Sequence, residues 1–277
     1  MATKESGAAR IVISLNPCEP RDYALEITLS ALPSRLRQFL GLYVENQSLM
    51  EHARSRHARE VRLTGPQREL NPVTIERQIR AEARRARTLF EAAGTRLGMD
   101  CRFETARGDI LLEPIRRAAG AQALVLSIAQ TEEIRISRPD FLRQLFETGP
   151  PLVLIARPGW LSGRSVAVLV RDAEDSLLDI GARVAAQTDS PLFVLLRPGQ
   201  TDDRERIVRG LLRRLHDQGI EKSGVVFLDS PSVESIAATV RSHNTRLLVM
   251  RSPSESEDAD ISELMRRYSG ALMMVRS

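Results

Sequence analysis

Few side chains in this sequence of 277 residues are of a type that does chemistry, so their spacing can be tested one group at a time. His52 and His57 stand five apart, off the i,i+4 spacing that puts two metal ligands on one helical face, and no nearby cysteine joins them. They read as solvated surface histidines. Cys18 and Cys101 are the only cysteines, far apart and without a CxxC, which fits free thiols in a reducing compartment. Cys18 falls near the start of a helical stretch, where a thiolate is favoured, but it reads as a small buried or semi-buried residue in the turn. No GxxxxGK[ST] loop and no GxSxG elbow occurs, so the P-loop and serine-hydrolase patterns are excluded. The RGD within ARGDI (106–110) reads as a chance match in a turn.

Two acidic loops are more informative. Gln130, Thr131, Glu132 and Glu133 follow the apolar run ALVLSIA, and Glu255, Glu257, Asp258 and Asp260 follow LLVM. In open α/β sheets ligands sit just beyond the carboxyl end of such a strand. Loops that hold phosphate there are rich in glycine, because backbone N–H groups must approach the anion. These two contain no glycine until Gly149 and Gly270. Two unit charges about 4 Å apart repel by about 4 kcal/mol near a protein surface, so the glutamates oppose phosphate further. A cation could bridge carboxylate to phosphate, but no ligand set here demands one.

Arginine supplies the positive charge. Lys4 and Lys222 are the only lysines among 40 basic residues, and the net charge is only +4. Arg77, Arg80, Arg84, Arg85 and Arg87 cluster in one helical stretch, and Arg204, Arg206, Arg209, Arg213 and Arg214 in another. Glu76, Glu82, Glu91 and Glu205 interleave with them, which reads as solvated faces with i,i+4 pairs. Aromatic residues for stacking single strands are sparse at 4%, so nucleic acid is not an expected partner. No apolar run approaches the roughly 20 residues that cross a bilayer, and MATKESGAAR has no signal-peptide core. A cytoplasmic location is expected.

The elements that must position these residues repeat. Five short runs rich in Val, Ile and Leu occupy the first half: Ile11–Leu15, Phe39–Val44, Met99–Phe103, Ala123–Ile128 and Pro151–Ala156. Five more follow: Val166–Val170, Leu192–Leu196, Val225–Leu228, Leu247–Met250 and Ala271–Val275. Continuous apolar runs of this length suit strands covered on both faces. Between them lie helical patterns. Ile75, Ile79, Ala83, Ala86, Phe90, Ala93 and Leu97 form one stripe after Pro72, with Gly98 as its stop. Its counterpart carries Ile207, Leu211 and Leu215, opens after Asp202 and Asp203 and ends near Gly219. Alternation of this kind predicts parallel sheets with right-handed crossovers. The predicted units are 1–158 and 159–277, joined through Arg157–Arg164, RPGWLSGR. The first half carries an extra stretch at about 46–71, read as a surface flap over the sheet edge or the other half.

In order and in duplicate, these segments resemble the universal stress protein family. IVISLNPCEPRDYALEITLSAL (11–32) is similar to the family's first strand and helix, LGLYVEN (40–46) to its second strand, and ARGDILLEPIRRAAGAQALVLSI (106–128) to the third-strand exit, helix and fourth strand. SVAVLVRDAEDSLLDIGARVA (165–185) and DSPSVESIAATVRSHNTRLLVM (229–250) repeat the plan. The resemblance implies an α/β fold of two tandem open parallel five-stranded sheets, strand order 3-2-1-4-5, flanked by helices. They would pack as a pseudo-dimer through the fifth strands, Leu152–Ile155 and Leu272–Val275. Nucleotide-binding members carry G-x2-G-x9-G-[ST] after the fourth strand and an Asp at the end of the first. This chain lacks that motif in both halves and has Asn16 and Arg171 in place of the Asp. The implied function is therefore a non-enzymatic stress-response or regulatory protein, with no cofactor or metal and no ATP held in the family's manner. It would act on an unknown protein partner, with no membrane contact and a homodimer as a further expectation. The alternative is an ATP- or AMP-binding protein with at most weak ATPase activity, using Asn16, Val44, Ser127 and Ala129.

Overall fold

The computed structural model describes residues 10–15, 38–55, 59–60, 68–69, 71–128, 139–156, 163–197, 204–252 and 258–276. Asn16, Cys18, His57, Ala129, the Gln130–Glu133 loop, Glu255, Glu257 and most of the 157–164 connection lie outside them. In the first unit the strands are β1 (Arg10–Ser14), β2 (Gln38–Asn46), β5 (Asp100–Gly108), β6 (Ala123–Ser127) and β7 (Leu152–Ala156). The second has β8 (Ser165–Val170), β9 (Leu192–Leu196), β10 (Ser223–Phe227), β11 (Thr245–Arg251) and β12 (Ala271–Val275). All ten join one sheet in the order β10-β9-β8-β11-β12-β7-β6-β1-β2-β5. Counted within its own unit, each half runs 3-2-1-4-5.

Every neighbouring pair in this sheet is parallel except β12 and β7. There the fifth strands meet antiparallel, with Met273 opposite Leu154, Leu272 opposite Ile155 and Val275 opposite Leu152. Third residue faces third residue and first faces fifth, a self-complementary register of the kind that a two-fold joint requires. The joint follows from composition. LVLIA is buried along its whole length and ALMMV over its first four residues, and either left as an edge would be an open template for further pairing. The true edges are polar or half-covered instead. β5 exposes Asp100, Arg102 and Glu104, and β10 is half-buried throughout.

Helices cover both faces. On one face Ile11, Ile13, Leu154, Val168, Val194 and Met273 share a core with α2 (Pro72–Leu97), α5 (Leu177–Gln187) and α6 (Arg204–Asp217). On the other, Val12, Leu124, Ile155, Leu248 and Leu272 pack with α3 (Leu112–Arg117), α4 (Pro139–Thr148), α7 (Val233–Ser242) and α8 (Asp258–Arg267). Both cores run unbroken across the joint, and α8 of the second unit packs on α4 of the first. α2 begins where Asn71 accepts the Val73 and Thr74 N–H groups and ends at Gly98, whose φ of 65° is the left-handed conformation glycine adopts freely. Among the described residues no helix is long and apolar enough to cross a membrane.

Three expectations need correction. The third strand does not stop at Phe103 but runs to Gly108, pairing with β2 as far as Asn46. Its polar outward residues face solvent at the sheet edge and so hide the strand from a search for apolar runs. Arg107 and Gly108 of the RGD therefore lie in β5, not in a turn. Arg107 pairs with Glu45 at 2.9 Å, and Asp109 accepts the Leu111 and Leu112 N–H groups at the start of α3. The extra stretch does lie over the sheet edge, but it includes regular elements rather than loop alone. It contains α1 (Gln47–Arg54), capped by the Asn46 side chain, and the short antiparallel pair β3 (Arg59–Glu60) and β4 (Arg68–Glu69). α1 buries Met50 and Ala53 and packs on α2 and on the edge strand β5.

Candidate functional site

In the second unit the chain runs outward from β8 through β9 to β10, then returns to place β11 on the other side of β8. The sheet is therefore split at its carboxyl edge between β8 and β11, where doubly wound sheets hold their ligands. A cavity of about 230 Å³ opens there. Leu169 and Val170 of β8 and Met250 of β11 form its floor, Val233 and Ile236 of α7 one wall, and Ile261 and Leu264 of α8 the other. Pro231 sits beside the start of α7, where the Ser232 hydroxyl accepts the Ser235 N–H at 3.2 Å and caps the helix.

Three arginines rim this opening: Arg171, Arg197 and Arg251. Each sits at the end of a buried strand, in VLVR, VLLR and LVMR. A strand covered on both faces cannot carry a guanidinium until it reaches solvent at the sheet edge. There a long side chain can lie along apolar neighbours with its head in water. Arg171 and Arg197 are exposed, whereas Arg251 keeps only a quarter of its side chain in contact with water.

Arg251 is held by Asp175, whose side chain is 1% exposed. One Asp175 oxygen, Oδ1, accepts from Arg251 Nη2 at 2.6 Å and from the Leu177 N–H at 3.1 Å. The other, Oδ2, accepts from the Arg171 N–H at 3.2 Å and faces Arg251 Nε at 3.4 Å. Burial pushes the Asp175 carboxyl up. The Leu177 N–H, the Arg251 guanidinium and the Arg171 N–H together outweigh burial, so the group lies below the ordinary aspartate value. The loop after β8 thus binds an anion that the protein supplies itself. That carboxylate folds the loop back onto the start of α5 and orients Arg251 at the cavity mouth.

Among the described residues the lining has no carboxylate, imidazole or thiol, and Ser252 supplies its hydroxyl. Among the described residues no three His, Cys, Asp or Glu side chains are grouped to hold a metal ion. His52 is exposed, with Nδ1 2.7 Å from the Ser48 carbonyl oxygen within α1. The Cys101 thiol is pushed up by burial and then by the charges of Asp100 and Glu91, which disfavours a reactive thiolate. The helix arginines make exposed pairs, Arg80 with Glu76 at 2.6 Å and Arg87 with Glu91 at 2.7 Å. Arg214 instead reaches Asp179 of α5 at 2.8 Å.

Of the four residues expected around a first-unit crevice, Val44 and Ser127 are described. Val44 is buried near the end of β2 and Ser127 is half-buried at the end of β6, on either side of β1. The topology therefore brings both to the equivalent edge of the first unit, while Asn16 and Ala129 lie outside the described residues. Sequence reasoning noted Arg171 only as a replaced aspartate and missed Arg197, Arg251 and Asp175. A signal existed for the arginines: the same residue follows five of the ten apolar runs, these three among them. None existed for Asp175, one of three acids in RDAEDS.

No family model matches the chain, and no curated protein matches it in sequence. Solved structures match it over almost its full length. A universal stress protein from Archaeoglobus fulgidus DSM 4304 is 11% identical, with 96% of each chain covered and a TM-score of 0.57. A functionally unknown protein from Pseudomonas aeruginosa PAO1 is 13% identical, covering 98% of this chain and 93% of its own, with a TM-score of 0.53. The chain has the universal stress protein fold, with the strand order 3-2-1-4-5 in each half.

Proposed function

We propose that this protein is a non-enzymatic, cytoplasmic regulatory protein of the universal stress type, which binds a small anionic ligand in its second unit and does not hold ATP in the family's manner. The observation that carries this reading is the cavity between β8 and β11, rimmed by Arg171, Arg197 and Arg251. A concave, largely apolar site with a few convergent charged groups is the usual form of a small-molecule site. Among the described residues the lining offers guanidinium groups for recognition and the Ser252 hydroxyl, a set suited to holding an anion. The lack of glycine between Met250 and Gly270 supports the departure from phosphate binding. Ligand occupancy would be read by a protein partner.

Calorimetry on the full chain tests this. Small monoanions are expected to bind, and Arg171→Gln to weaken them. ATP, AMP and their Mg²⁺ complexes are expected not to bind in the micromolar range. The second reading, an adenine-nucleotide site in the first unit near Asn16, Val44, Ser127 and Ala129, is favoured by Val44 and Ser127 flanking β1 at that unit's carboxyl edge. Micromolar ATP binding that disappears on Asn16→Arg would establish it and overturn the first.

A further inference from the structure

If the second-unit crevice is an anion site, three of its features say what the anion is attached to and how much charge it carries. The first is size. At about 230 Å³ the cavity is smaller than the ~300–1,000 Å³ pockets that enclose drug-sized ligands. An apolar cavity of about 150 Å³ admits benzene, so on that scale this one takes a body of about nine non-hydrogen atoms. A nucleoside, with base and sugar, exceeds that space.

The second is the chemistry of the walls. Met250, Ile236, Ile261 and Leu264 are all buried, and among the described residues the polar side chains of the lining are the three rim arginines and Ser252. A purine and a ribose present several donors and acceptors that lose water on entry and cost free energy unless each finds a partner. An alkyl or aryl body needs none.

The third is charge balance. Asp175 already occupies Arg251 and the Arg171 N–H. One added negative charge can lie on the exposed guanidinium groups of Arg171 and Arg197, whereas a phosphate or polyphosphate brings further charge beside the Asp175 carboxylate. Guanidinium and carboxylate also match in shape, as a planar two-point pair.

We infer that the second-unit cavity is a site for a small amphipathic monocarboxylic acid, whose aryl or medium-chain alkyl body lies between α7 and α8 and whose carboxylate lies on Arg171 and Arg197. The inference rests on the reading of this crevice as an anion site and adds the ligand class.

Isothermal titration of the full chain with octanoate and with 3-phenylpropanoate tests it, alongside octanol, inorganic phosphate and AMP. At least one of the two acids is expected to bind saturably at one site per chain. Octanol, the same body without the charge, should bind more than about tenfold more weakly, because both charge-assisted contacts are lost. Arg171→Gln and Arg197→Gln should each weaken the acid about tenfold on the same basis. Both side chains are exposed, so thermal unfolding of the ligand-free variants checks that they remain folded. Phosphate or AMP binding that is lost in Arg171→Gln, with no binding of either acid, keeps the anion site and overturns the ligand class. Binding of none of the anions overturns both. Acid binding that neither glutamine variant weakens lies elsewhere on the protein and also overturns the inference.

Discussion

Asp175→Asn removes one charge from the cavity mouth and keeps nearly the same shape, so its cost measures the Asp175–Arg251 pair. The asparagine retains one acceptor oxygen, enough for the Leu177 N–H that Asp175 Oδ1 now accepts at 3.1 Å. Its amide nitrogen, a donor, then faces the donors at Arg171 N and Arg251 Nε. Breaking a fully buried ion pair costs about 3–5 kcal/mol, but Arg251 reaches water with a quarter of its side chain and can rehydrate. The expected loss is about 2 kcal/mol, or about 4–8 °C in melting temperature for a chain of this size. The pH dependence has a definite sign. Asp175 titrates below its ordinary value in the folded protein, because three hydrogen-bond donors and the charge of Arg251 outweigh burial. A depressed carboxylate contributes fully above its unfolded value near 3.9 and loses that contribution as pH falls through the folded value. Urea unfolding should therefore show the full gap between wild type and variant at pH 7. The gap should narrow below about pH 5 and close at acid pH, where the wild type is protonated too. Arg251→Gln should cost more than Asp175→Asn, because it strands a carboxylate that is 1% exposed. The double variant should cost at least about 1 kcal/mol less than the two singles combined. A gap independent of pH, or additive singles, would refute the account of a charge pair.

Two further outcomes follow from the packing. Gly181→Ala should destabilise the protein by about 1–2 kcal/mol in the same urea assay: an added Cβ would lie 2.0 Å from Cγ2 of Val168, a fully buried strand residue, and overpacking outweighs the ~1 kcal/mol that alanine gains in a helix. A stabilised variant would show that α5 is free to move off β8. A fragment of residues 1–158 should self-associate through β7, because the register that pairs Leu154 with Met273 is self-complementary; a stable monomer in sedimentation would refute that account of the joint.

The fold was legible wherever a strand is covered on both faces. Val166–Val170 and Leu152–Ala156 are apolar along their whole length because each residue meets a helix layer on one side of the sheet or the other. Legibility failed where that condition failed. β5 lies at the edge, so Glu104 and Arg107 face water and the strand outlasts its apolar run. α1 buries only Met50 and Ala53, too little periodicity to mark a helix of eight residues. The site was harder for a different reason. Arg251 and Asp175 are 76 positions apart and become partners only when β11 returns to lie beside β8. The family's motif concerns the acidic loops, whereas the arginines sit at the neighbouring strand ends.

Those strand-final arginines show that a repeated sequence signal has no single meaning until topology assigns it. β12 also ends in MMVR, yet Arg276 does not reach the cavity. Its Nη1 donates to the Phe146 carbonyl oxygen at 2.9 Å, in the last turn of α4 in the first unit, where a cation suits the negative end of the helix dipole. Its own N–H donates to the Pro151 carbonyl oxygen and extends the β12–β7 ladder. The difference lies in strand order. β8 and β11 sit where the chain reverses its direction across the sheet, so their ends face an opening. β12 sits at the joint, so its end faces another unit. The same residue after the same apolar run therefore rims a cavity in one place and ties two units together in another. Edge-to-edge pairing of the two units supplies the buried joint that both fifth strands need, and it leaves the carboxyl edge between β8 and β11 open.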